Sequence, residues 1–178
     1  HHYNRKGKHI KSWGQAGAGP GQFNLPHNIC CDTDGWIYVA DRENSRIQIF
    51  DTLGNFETQI NNMHRPSGLA ITAGSSPDFI VGELASYLEV NKDFTNLGQF
   101  VSFFDRQGSM LSRLDKGVGP GVYPGQFISP HSIALDSLGD LYIGDVAETD
   151  WKAVMGKELM PDNLRRFQKL RRSQTSEQ

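Results

Sequence analysis

A chain of 178 residues, 37% of them hydrophobic and with a formal net charge of -2, is long enough for one packed core. That charge excludes an overall basic field able to hold phosphate backbones, so no nucleic-acid partner is expected. No stretch approaches the roughly eighteen apolar residues of a membrane span, and the polar start HHYNRKGKHIK excludes a signal peptide there, so either the protein is cytosolic or its true start lies further upstream.

In chain order, HHYNR and KHIKSWG read as two short strands, with His9 on an exposed outer one. Next comes GAGPGQFNLPHNICCDTDGWIYVADRE (17 to 43). From here four strands are expected at 28 to 32, 36 to 40, 46 to 50 and 55 to 60, separated by the turn sequences TDG, RENS and TLG. Cys30 and Cys31 are neighbours in a strand and point to opposite faces, so they neither bridge each other nor clasp one metal; both read as buried small hydrophobes. HRPSGLAITAGSSPDFIVGELAS follows, with an insertion around YLEVNKDFTNLGQ. The last unit opens as GVGPGVYPGQFISPHSIALDSLGDLYIGDVAE (117 to 148). Its third strand gives way to WKAVMGKELMPDNLRRF (151 to 167), whose middle is expected to form a short helix before Pro161. Such a loop would shape a pocket or stand as a mere insertion. Trp151, Tyr87 and Phe94 are candidates for lining a pocket, with ordinary packing as the alternative.

These segments repeat. Gly-x-Gly-Pro-Gly, Gly-Gln-Phe, Pro-His, an apolar run, Asp, a Gly turn, a Tyr-bearing strand and a closing Asp recur in one order, with a weaker copy in the middle. Four short strands in about forty residues are the signature of a β-propeller blade. The fold expected is all-β, a propeller of four-stranded blades, with about three and a half blades present. Residues 1–14 would end one blade, 15–60, 61–114 and 115–172 would form three more, and 173–178 would be a polar tail. Because an open ring leaves strand edges unpaired, the chain reads as the carboxyl-terminal part of a longer protein.

A propeller brings the inner strands of all its blades to one axis. His27 and His131, each after a proline at the mouth of an inner strand, should therefore face the same end of the channel, and Ser67 takes that place in the middle blade. Two histidines, with a third from a preceding blade, would hold zinc and leave a coordination position open. The alternative is a pair of histidines bonded to water or to main-chain carbonyls. Asp41, Glu83 and Asp145 end the second strand of each unit and read as turn caps rather than catalytic acids. Arg42 occurs in only one copy. It would either grip a substrate carboxylate and steady a developing anion, or form a surface ion pair with Glu43 or Asp41. His64 reads as a solvated loop residue.

Gly-Gln-Phe, Pro-His and IYVADRENSRIQIFD resemble NHL repeats, and FNLPHN...VADRENSRIQ is similar to the peptidyl-α-hydroxyglycine α-amidating lyases, in particular their bacterial branch. The resemblance spans nearly the whole chain. It implies a six-bladed propeller with zinc held by three histidines on the axis, His27 and His131 matching two of them, and Arg42 matching an active-site arginine. It also implies a peptide or related small-molecule substrate, cleaved at a C–N bond to an amide and glyoxylate, and a secreted or periplasmic location. The third histidine and the family's tyrosine would fall upstream of His1, so this chain alone should not catalyse. Ser132 stands where the animal enzymes have an aspartate beside a structural calcium, which leaves Ca2+ open. Tyr38 and Ile49 occupy the positions of their disulfide. The rival reading is a non-catalytic NHL platform binding a protein or RNA, for which the basic tail LRRFQKLRR is the one favourable feature; as a closing strand it would equally be a solvated edge.

Overall fold

The computed structural model describes residues 1–73, 78–92, 94, 96–114 and 119–172; the expected polar tail at 173–178 lies outside the described residues. Strands β1 (His2–Tyr3) and β2 (His9–Lys11) pair as an antiparallel hairpin, and β3 (Gln15–Ala16) runs parallel to β4 (Gln22–Phe23). Next, β5 (Pro26–Cys31), β6 (Ile37–Asp41), β7 (Arg46–Phe50) and β8 (Phe56–Ile60) form a four-stranded antiparallel meander. A second meander follows from β9 (Pro66–Ile71), β10 (Phe79–Glu83), β11 (Phe100–Phe104) and β12 (Met110–Leu114). The third sheet, β13 (Pro130–Leu135), β14 (Leu141–Asp145) and β15 (Phe167–Leu170), has three strands among the described residues. These sheets are propeller blades, each a meander in sequence order. A short helix, α1 (Glu89–Lys92), sits between β10 and β11, and α2 (Ala147–Met155) between β14 and β15.

One local device makes the hairpins. In Asp-x-x-Gly, the aspartate Oδ1 accepts main-chain N–H groups two and four residues on, while the glycine takes a positive φ that a side chain would resist. Asp32 accepts from Asp34 and Trp36, Asp51 from Leu53 and Asn55, and Asp136 from Leu138 and Asp140. In the two inner hairpins a tyrosine from the next strand completes the turn: Tyr38 donates to Asp32 and Tyr142 to Asp136, at 2.7 and 2.9 Å.

Alternation along the strands then stacks the blades. In the middle blade Leu69, Phe79, Val81 and Phe104 face the first blade, packing with Tyr38, Ile47, Ile49 and Ile60. Ala70, Ile80 and Val101 face the third, against Ile133, Leu141 and Ile143. Period-two alternation delivers apolar side chains to both faces because both are covered. Among the described residues one expectation of burial is not met. Cys30 joins the core shared with Tyr38, but Cys31 shares the opposite face of β5 with Ile29 and is exposed.

The helix also begins earlier than its sequence suggests. Ala147 and Trp151, one turn apart, form a buried stripe against Ile128 and Leu164, and this packing starts α2 before the stretch that reads as helical. Gly156, at φ +66, follows its last residue. Trp151 is thus a packing residue, and its indole N–H donates to the carbonyl of Glu158.

Candidate functional site

Strand register explains what the Pro-His positions do. Pro26 pairs with Asp41, yet Asn28 pairs with Ala40, so His27 is an extra residue in β5 with no partner across the ladder. The same slip occurs at Ser67, between the pairs Pro66–Glu83 and Gly68–Gly82. It recurs at His131, between Pro130–Asp145 and Ser132–Gly144. Each is a β-bulge, and a bulge turns its extra side chain out of the strand's alternation. The acid opposite each proline fixes the loop that enters the bulge. Asp41 accepts the N–H of Asn24, Glu83 that of His64, and Asp145 those of Ile128 and Ser129. The three acids are structural caps.

The outcome is convergence. The imidazoles of His27 and His131 meet edge to face with centroids 4.4 Å apart, although a complete blade separates them in the chain. Nδ1 of His27 lies 3.0 Å from the carbonyl oxygen of Ser67. A carbonyl only accepts, so Nδ1 donates in this bond, which leaves Nε2 as the ring nitrogen not engaged by Ser67. Burial, then the neighbouring His27 and Arg42, push the His131 imidazole below its ordinary range, while Asp150 opposes them. Both features suit a pair of nitrogen donors. Among the described residues no group of three or more His, Cys, Asp or Glu is placed to hold a metal ion.

Arg42 opens a 3₁₀ turn, Arg42–Asn44, between β6 and β7, and is near enough to His131 to bias its protonation. Its Nε donates to Glu43 at 2.8 Å, the ion pair weighed from sequence. Among the described residues its Nη groups make no hydrogen bond. Glu43 is shared, because Arg65 also donates to it through Nη2 at 2.8 Å. Arg65 stacks on the ring of Tyr87 at 4.5 Å, and Tyr87 donates to Asp150 of α2 at 2.7 Å. A polar chain from Glu43 through Arg65 and Tyr87 to Asp150 therefore crosses all three blades beside the histidines.

Sequence reasoning missed Arg65 and Asp150. The available signal was the residue before each bulge proline: Leu25, Arg65 and Ser129 are equivalent, and only the middle one is charged. Arg65 holds a left-handed φ of +43, as the equivalent Leu25 does at +59, so this costly conformation belongs to the turn that enters the bulge. His64 is not solvated as expected; it is half-buried, and its Nδ1 donates to the carbonyl of Leu84. His9 and Phe94 are exposed. A cavity of about 350 Å³ lined by Met63, His64, Glu83, Leu97, Met110 and Arg113 includes none of His27, His131 and Arg42.

Residues 23–50, from the end of β4 through β7, match the NHL repeat. The first blade of this propeller-type chain carries an NHL repeat. The chain is 32% identical over 160 residues to peptidyl-glycine alpha-amidating monooxygenase A of Xenopus laevis, a match covering 84% of this chain and 16% of that protein. It thus spans about a sixth of that relative's length. Over 38 residues, 21% of this chain and 11% of the relative, it is 53% identical to NHL repeat-containing protein 3 of Homo sapiens. Among solved structures, a Bacteroides caccae protein of unknown function superposes with a TM-score of 0.52 at 15% identity, over 79% of this chain and 43% of that one, a likeness of fold alone.

Proposed function

We propose that these NHL blades contribute to a metal-dependent carbon–nitrogen lyase site that cleaves a peptidyl-α-hydroxyglycine, or a related carbinolamide, to an amide and glyoxylate. The observation that carries this reading is the meeting of His27 and His131 at the bulges of two blades. The similarity to an amidating enzyme over most of the chain agrees with it.

The donor set fits zinc. Nε2 of His27, freed by the bond from Nδ1 to Ser67, and the neutral imidazole of His131 are nitrogen ligands of the type zinc favours, and they would hold it together with a ligand from outside the described residues. When bound, the metal would supply Lewis-acid polarisation of the substrate hydroxyl. Ser132 offers one hydroxyl where calcium would want carboxylate oxygen, so we propose no calcium there.

The chain's own residues supply orientation. With its Nε held by Glu43, Arg42 presents its Nη groups as a fork that suits a carboxylate. In the reaction the hydroxyl loses its proton, its C–O bond becomes the carbonyl of glyoxylate, the C–N bond breaks, and the amide nitrogen gains a proton. Glyoxylate leaves with its carboxylate still suited to the Arg42 fork. Among the described residues no helix is long and apolar enough to cross a membrane.

The test is glyoxylate release from an N-acyl-α-hydroxyglycine by protein carrying the complete propeller and supplied with zinc. Turnover abolished by chelation supports the reading; no glyoxylate from zinc-loaded protein overturns it. The second reading, a non-catalytic platform, is favoured by the neutralisation of Arg42 by Glu43 and predicts no turnover.

A further inference from the structure

We infer that Ser67 is the positioning residue that sets the spacing of His27 and His131, an inference resting on the reading of that pair as the functional site. Ser67 occupies the bulge of the blade lying between those that carry the histidines, and it is fully buried. Its main-chain carbonyl accepts from Nδ1 of His27 at 3.0 Å. Its Oγ lies 3.1 Å from the carbonyl of Pro130, the residue before His131, and 3.3 Å from that of Gly82 in its own sheet. A hydroxyl has one proton, and the nearer acceptor is the one across the blade boundary. One residue therefore touches both histidine-bearing bulges, the first through its backbone and the third through its side chain.

The surrounding glycines make this reach possible. A Cβ on Gly82 would lie 2.3 Å from the Pro130 oxygen, and one on Gly68 3.1 Å from the oxygen of His131. Strand β13 thus approaches the middle blade more closely than side chains at those two positions would permit, and a short hydroxyl spans the remaining distance. The closely packed, solvent-free setting of Ser67 also accounts for the break in the Pro-His pattern: an imidazole at this bulge would have to displace β13.

The experiment uses protein carrying the complete propeller and compares the parent with Ser67→Ala, Ser67→Thr and, as a control, Ser132→Ala at an exposed position on β13. Two readouts are taken: the ring-to-ring NOE between His27 and His131 without metal, and the affinity for Co2+ added alone, followed by its visible absorption. Loss of the hydroxyl should weaken the NOE and lower Co2+ affinity roughly 10- to 100-fold, the usual effect of removing an outer-shell partner, while the melting profile stays cooperative. Ser67→Thr, which keeps the hydroxyl, should recover the NOE, and Ser132→Ala should match the parent. An unchanged NOE in Ser67→Ala overturns the inference. So does an NOE lost equally in Ser132→Ala. If the parent takes up no Co2+ but its NOE still depends on the Ser67 hydroxyl, the metal reading fails and the positioning role stands.

Discussion

His27 and His131 touch edge to face, with ring centroids 4.4 Å apart, across a blade that contributes no histidine at the equivalent place. Neither could reach the other from a regular strand position. The bulge in each inner strand redirects the side chain, and radial packing of the blades brings the redirected rings together.

The close approach of β13 to the middle blade predicts an asymmetry between two glycines in strand interiors. Gly82→Ala would drive a methyl against the Pro130 carbonyl, while at Gly144 the nearest atom is the Ser132 side chain at 3.5 Å, an ordinary contact. Urea denaturation should show Gly82→Ala destabilised by about 1–3 kcal/mol, the usual cost of overpacking. Gly144→Ala should lie near the parent. Equal effects would argue against the tight blade interface.

Asp41 makes a different demand on stability. It is fully buried and accepts from Arg46, Asn44 and Gln48, with Arg46 only 6% exposed in its side chain. Asp41→Ala leaves a buried guanidinium without its charged partner, bonded only to Gln59 and main-chain carbonyls, and should cost about 3–5 kcal/mol. Because the acid is a cap rather than a reacting group, the effect should appear in the unfolding curve. A stable Asp41→Ala variant with lost activity would assign the acid to chemistry instead.

Arg42 should behave in the opposite manner. Its ion pair with Glu43 is partly exposed, so Arg42→Ala should change stability by about 1 kcal/mol or less. In protein carrying the complete propeller, loss of a charged donor at the reacting end should lower kcat on the order of 100-fold. Steady-state glyoxylate release measures this, and an active Arg42→Ala variant would exclude the arginine from the site.

Burial holds the His64 imidazole below its ordinary value of 6.5, against the opposing effect of its bond to Leu84. A histidine depressed in the folded state binds fewer protons there than when unfolded. Its contribution is therefore fully present above about pH 6.5 and is lost as the pH falls through 6.5 toward the lower folded value. Between pH 7.5 and 5 the parent should lose more stability than His64→Gln, read as the shift in urea midpoint. A parent that gains stability relative to the variant on acidification would reverse the sign and contradict the buried setting.

Much of the architecture was legible because it rests on local chemistry repeated several times. Asp-x-x-Gly turns and alternating strands locate β7 at residues 46–50 as expected, and β5, β6 and β8 within two residues at each end. The repeated Pro-His was legible as a place but not as a geometry, since the bulge depends on which residue lies opposite. Glu43, Arg65, Tyr87 and Asp150 come together only through packing of three blades, and no local pattern marks them as neighbours. Cys31 differs for a similar reason: alternation along β5 gives the face of each cysteine but not what packs on that face.

The central claim is that two redirected imidazoles form part of one ligand set. Metal content after dialysis against zinc, measured on protein with the complete propeller and on its His27→Ala and His131→Ala variants, tests it most directly. About one tightly held zinc per chain in the parent, sharply reduced in both variants while they remain folded, is the expected result. Zinc retained in full by either variant would contradict it.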